Sequence, residues 1–76
     1  MMSVTGYIFI VCEGGKELKV KETLEKTDGF CGVRILYGPY DLVAKAERSS
    51  LRELDSLVLK VRSMPEVVRT VTLVSL

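Results

Sequence analysis

The apolar positions of this chain fall into six runs whose period switches between two and about 3.6. "TGYIFIVC" (5–12) is β-branched and aromatic and apolar on both alternating faces: Ile8, Ile10 and Cys12 point one way, Tyr7, Phe9 and Val11 the other. A strand of that kind is central in its sheet and covered on both sides. Gly14 and Gly15 end it. "KELKVKETLEKT" (16–27) places Val20 and Leu24 four apart, with Thr23 and Thr27 alongside, which predicts a thin amphipathic helix. Leu18 falls about 200° from Val20 and lies off that stripe, as an exposed leucine or an oligomer contact. Asp28-Gly29 stops the helix. "VRILY" (33–37) and "LVAKA" (42–46) read as strands joined through "YGPYD", a connection so short that the two must be antiparallel neighbours. Ser50 and Glu53 have the spacing of a capping box, and Leu51, Leu54, Leu57, Val58 and Val61 follow as a helical stripe that Pro65 closes. "VVRTVTLVS" (67–75) is a β-branched final strand.

The order is therefore β-α-β-β-α-β. The pattern also looks duplicated, with Tyr7 and Leu24 answered by Tyr40 and Leu57 at a spacing of 33 residues. Two right-handed crossovers that interleave give a four-stranded antiparallel sheet with both helices on one face, an α+β, ferredoxin-like fold. The other face then carries about half of Ile8, Phe9, Ile10, Val11, Leu42, Ala44, Val71 and Leu73, the register deciding which. Such a face is too apolar to meet water alone.

Composition points the same way. Hydrophobic residues make up 47% of the 76, and mean hydropathy is +0.25. So short a chain buries only about 60% of the surface its unfolded form exposes. The excess apolar surface implies a homo-oligomer with sheets paired face to face. A net charge of +1, with acids and bases interspersed, draws the chain neither to nucleic acid nor to an acidic membrane. Cys12 and Cys31 form no C-x-x-C pair, and the absence of histidine removes a Cys/His zinc site within one chain. Two small buried thiols in the reducing cytosol of a cytoplasmic protein is the simplest reading. The run 7–12 is too short for a signal peptide core or a bilayer span. No cluster suits acid–base catalysis, so no enzyme, cofactor or metal is expected.

This fold hosts many functions. An RNA-recognition domain would need a strand with several stacking aromatics, and "YDLVAKA" offers only Tyr40. Metal carriers need paired cysteines in the first loop, which here reads "CEGGKEL". In contrast, "GGKELKVKETLEKTDGF", "VRILYGPYDLVAKAE" and "LRELDSLVLKVRSMPEVVRTVTLV" resemble the amino-acid-sensing RAM domain of the Lrp/AsnC feast/famine regulators. The resemblance covers about residues 5 to 75. Its most specific parts are the Gly-x-x-Asp turn (Gly38, Asp41) before the third strand and the R-T-x-T run (Arg69, Thr70, Thr72) in the last. It implies face-to-face dimers, commonly joined into rings, that bind an amino acid where dimers meet. Most members also carry an N-terminal helix-turn-helix domain. Here the resemblance begins within the first few residues, so residues 1–76 are expected to form a single RAM-type domain without a DNA-binding domain. Glu66 departs from the glycine that many members have after the helix-ending proline.

An amino acid offers an ammonium and a carboxylate on adjacent atoms. Asp41 can accept from the first through a charge-assisted bond. Backbone N–H groups near Gly38 and Tyr40 can meet the second, since glycine permits close approach and Pro39 stiffens the loop. Thr70 and Thr72 share a strand face and offer hydroxyls, and Tyr40 can line the pocket. Each has a structural alternative: an Asx-type cap for Asp41, turn chemistry for Gly38-Pro39, ordinary strand positions for the threonines, and a surface ion pair for Arg69. The expected function is effector sensing at dimer–dimer contacts that modulates transcription by oligomerisation or by co-assembly with DNA-binding homologues. The alternative is a structural or regulatory interaction module of a metabolic enzyme, without a ligand of its own.

Overall fold

The computed structural model describes residues 3–75. Its elements run β1 (Val4–Cys12), α1 (Glu17–Glu25), β2 (Phe30–Ile35), β3 (Leu42–Arg48), α2 (Leu51–Arg62) and β4 (Val67–Ser75). The sheet is antiparallel in the order β2-β3-β1-β4. This is the expected ferredoxin-like arrangement.

Register decides which side chains share a face. Ile8 lies opposite Ala44 and Thr72, and Phe9 lies opposite Val43 and Val71. One face therefore carries Ile8, Ile10, Cys12, Leu42, Ala44 and Ala46, all buried, and both helices cover it. Val20 and Leu24 of α1 and Leu54, Leu57 and Val61 of α2 complete that core. The other face carries Tyr7, Phe9, Val11, Val43, Val71 and Leu73, and neither helix covers it. Leu73 is 58% exposed and Val71 39%.

Two bulges change the expected boundaries. β2 begins at Phe30 rather than Val33, because its register shifts between Phe30 and Gly32. The extra residue, Cys31, puts Phe30 and Val33 on the core side although they are three apart, which breaks the period of two. Tyr37 lies outside β2, since pairing ends at Ile35 opposite Leu42. The second bulge sits at Val68 in β4, between partners of Val11 and Cys12, and puts Val67 and Thr70 on one side. The 33-residue correspondence survives only in the helices. Leu24 and Leu57 are both buried, but Tyr40 precedes β3 whereas Tyr7 stands inside β1.

The helix ends differ from the expected forms too. α1 is shorter than 16–27, with Lys16 and Lys26 as its flanking residues and no side-chain cap. Ser50 caps α2 by accepting from the Glu53 backbone N–H at 3.2 Å. The return half of the box is absent, as the Glu53 carboxylate accepts instead from the Ser49 hydroxyl at 2.6 Å. Leu51 stands on the predicted stripe yet is exposed, as is Leu18.

Glu66 is the buried charged residue among those described. Its carboxylate meets the Lys19 ammonium of α1 at 2.8 Å, and its carbonyl accepts from the Glu13 N–H at 2.9 Å. It thus ties the α2–β4 connection to α1 and to the end of β1. The Lys19 hydrogen bond holds the Glu66 carboxyl below its ordinary value of 4.5, and the same bond raises Lys19 above 10.5. A carboxyl depressed in the folded state contributes stability above its unfolded value, and that contribution disappears as pH falls through the depressed one. The lysine's share is complete below 10.5 and fades as pH rises through its raised value. Denaturant midpoints for Glu66→Gln should therefore fall below those of the wild type at neutral pH. The two curves should converge as pH drops below 4.5. A constant gap down to pH 2 would show that shape, rather than charge, is what matters at this position.

Candidate ligand-binding site

The residues expected to bind a ligand occupy three neighbourhoods. The first is the β2–β3 connection. After Ile35 the chain turns at Gly38, whose φ of +143° is open to glycine and strained for other residues. It returns at Asp41, whose carbonyl accepts from Leu36 N–H and whose N–H donates to the Ile10 carbonyl, both at 2.8 Å. The Asp41 carboxylate does not cap its own turn. Its Oδ2 accepts from the Cys12 backbone N–H at 2.9 Å, where the sheet would otherwise leave that N–H without a strand partner. Oδ1 accepts no hydrogen bond among the described residues. Asp41 lines a depression of about 680 Å3 together with Gly38, Leu18, Ile35 and Tyr37. Leu18, the residue off the α1 stripe, thus stands beside the turn.

Beneath Asp41 the Cys12 thiol is buried, as expected, whereas Cys31, the extra residue of the β2 bulge, is exposed. Burial first, then the Asp41, Glu17 and Glu13 carboxylates, push the ionisation of Cys12 up, so it stays a neutral thiol and not a nucleophile.

Tyr40 occupies the second neighbourhood, on the uncovered sheet face. Its ring meets that of Phe9 at 5.6 Å with a 55° tilt. The Arg69 guanidinium lies 5.9 Å from its centre, within cation–π range. The aromatic contact braces the loop against β1.

Thr70 and Thr72 form the third. They lie opposite Ile10 and Ile8, on the helix-covered side of the edge strand. Both line a depression of about 520 Å3 between β4 and α2, with Val58, Arg62, Val68 and Arg69. It shares no lining residue with the Asp41 depression. A single chain therefore joins Gly38 to Asp41 and Thr70 to Thr72, but not the two pairs to each other. Both hollows match the size of small-ligand pockets. Another of about 690 Å3, near Arg48 and the start of α2, contains none of the predicted residues. Arg62 and the Cys12 N–H escaped the sequence reading: a cation in the last turn of a helix has an ordinary explanation in the helix dipole, and a backbone donor carries no sequence signal.

No group of three or more potential metal ligands occurs among the described residues, and no described helix is long and apolar enough to cross a membrane. No protein-family model matches the chain, and no curated protein matches it. Solved structures do. FFRP-DM1 is 36% identical over 96% of this chain and 99% of its own, with a TM-score of 0.92. Escherichia coli AsnC is 23% identical over 96% of this chain and 50% of its own, with a TM-score of 0.87. The Neisseria meningitidis transcriptional regulator NMB0573, in complex with L-Met, is 16% identical over 96% of this chain and 49% of its own, with a TM-score of 0.81. The last two share the fold. With more than a third of its residues shared with FFRP-DM1 over nearly the full length of both, this chain belongs to the Lrp/AsnC family, as a RAM-type domain.

Proposed function

We propose that this domain senses an amino acid or a related small metabolite where two of its dimers meet, and that occupancy biases assembly and, through it, gene control. The observation that carries the reading is the Asp41 carboxylate. One oxygen is held by the Cys12 N–H, the other accepts no hydrogen bond among the described residues, and Asp41 lines a hollow beside a glycine turn. A carboxylate used only for structure does not require the adjoining hollow. Its open oxygen suits a ligand ammonium, and the fixed side chain lowers the ordering cost of binding.

The ligand's carboxylate falls to donors on the other side: the Gly38 loop N–H groups and the Thr70 and Thr72 hydroxyls of a neighbouring protomer. Tyr40 acts from below, holding the loop on β1. The uncovered face with Tyr7, Phe9, Val71 and Leu73 supports dimers formed sheet to sheet. A ligand that touches two dimers stabilises the assembled state by its differential affinity, which is how it shifts assembly. Co-assembly with DNA-binding homologues, through the same sheet face, would carry the signal to a promoter. The L-Met complex of the N. meningitidis regulator, which shares the fold, adds support.

Calorimetric titration of the natural amino acids into wild type, Asp41→Asn and Asp41→Ala tests this. Asparagine keeps an acceptor for the Cys12 N–H but loses the charge. Its affinity should fall by about 2 kcal/mol, roughly thirtyfold, with the melting temperature little changed. Alanine should lose both binding and stability. The reading fails if no amino acid binds, or if Asp41→Asn binds as the wild type does.

A further inference from the structure

We infer that the ligand carries a second carboxylate, and that Arg62 selects for it. This rests on the proposed function and names its substrate class. The two hollows differ in charge. The Asp41 depression is bordered by the carboxylates of Asp41 and Glu17, which suits an ammonium. The Thr70/Thr72 depression is lined by Arg62 and Arg69 and by no acidic residue. Neither arginine forms an ion pair or a conventional hydrogen bond among the described residues. Arg69 is engaged with the Tyr40 ring on the sheet side. Arg62 has no such engagement.

Arg62 lies in the last turn of α2, where the helix dipole favours a cation, but Lys60 already supplies one there. The dipole accounts for a positive charge, and the exposed guanidinium has no protein acceptor among the described residues. Its fork matches a carboxylate bidentately, which a lysine would not. The two threonine hydroxyls beside it can hold the other anionic group, and Val58 and Val68 offer apolar wall for a short methylene stem. An α-amino acid with a carboxylate side chain satisfies all of these at once: the ammonium on Asp41 of one protomer, the two carboxylates on Arg62, Thr70 and Thr72 of another. A neutral side chain would leave the guanidinium unpaired as the interface closes.

Titration of L-glutamate, L-aspartate, L-glutamine and L-leucine into wild type, Arg62→Gln and Arg62→Lys decides the matter. The wild type should bind one of the two acidic amino acids about tenfold or more tighter than glutamine. Arg62→Gln should erase that preference, weakening the acidic amino acid and relieving the cost that an unpaired guanidinium imposes on glutamine. Arg62→Lys should restore part of it. Circular dichroism and solution mass must match wild type for each variant. If glutamine or leucine binds in an Asp41-dependent way with no acidic preference, or if Arg62→Gln leaves the preference intact, Arg62 is not the selector and the sensing function still stands. If none of the four binds and no other amino acid does, the sensing function and its specificity fall together.

Discussion

Val71→Lys should abolish the proposed sheet-to-sheet dimer and leave a monomer that remains folded. Val71 stands on edge strand β4, opposite Phe9 of β1, on the face that no helix covers. It is 39% exposed in the single chain, so a lysine there can carry its ammonium into water without disturbing the core. Around it lie Tyr7, Phe9, Val11, Val43 and Leu73, an apolar surface that the described residues leave partly open. When two such faces meet about a two-fold axis, each substitution enters the interface twice. An ammonium buried against valine and leucine without a partner costs on the order of 3 kcal/mol or more. Two copies should raise the dimer dissociation constant by at least about a thousandfold. Sedimentation equilibrium over a range of concentrations reads that shift, and far-UV circular dichroism confirms the fold. A Val71→Lys protein that stays dimeric at low micromolar concentration would place the contact elsewhere. The exposed Leu59 of α2 supplies the control. It points away from the sheet, so Leu59→Lys should leave the dimer intact.

This surface was legible in the sequence as a surplus of apolar residues, but its membership was not. Alternation within β1 separated Phe9 and Val11 from Ile8 and Ile10 without saying which set the helices cover. Positions where the period breaks stayed hidden. Phe30 reached the core only through the Cys31 bulge, and bulges depend on how two strands meet rather than on either strand alone. Asp41 shows the same limit at the site. Its place before β3 marked it as more than a turn residue, yet its partner is a backbone N–H 29 positions earlier. Thr70 and Thr72 were legible as a pair on one face. Their separation from Asp41 was not, because strand order and the helix that covers each flank are tertiary facts.

Gly29→Ala should be among the most damaging small substitutions in the chain. Gly29 links α1 to β2 at a φ of +105°, where a side chain costs roughly 1–2 kcal/mol through contact with its own backbone. Its carbonyl is fixed by the Glu47 N–H at 3.0 Å, so the residue cannot relax to another conformation without breaking that link. Space makes it worse. A Cβ would stand 2.6 Å from Leu57 Cδ1 and 2.8 Å from the Arg48 guanidinium. Leu57 is 2% exposed in the core, and Arg48 is bound to the Asp28 carbonyl and carboxylate. Arg48 can swing outward at the loss of those surface bonds, but Leu57 is packed with Ala46 and Leu54 except where it borders the hollow beside Arg48, and forcing it aside costs about 1–3 kcal/mol. The sum of about 2–5 kcal/mol corresponds to a fall of roughly 10–30 °C in melting temperature for a domain of this size. Gly15→Ala separates the two causes. Its φ of +85° imposes a similar strain, but nothing lies within 4 Å of the added methyl. It should lose only the 1–2 kcal/mol, so the difference between the two variants measures how tightly α2 is packed over the end of α1. Equal losses in the two would mean that Leu57 yields freely. The cluster of Ala46, Leu54 and Leu57 at that end of the sheet would then be as adaptable as a surface, despite its burial.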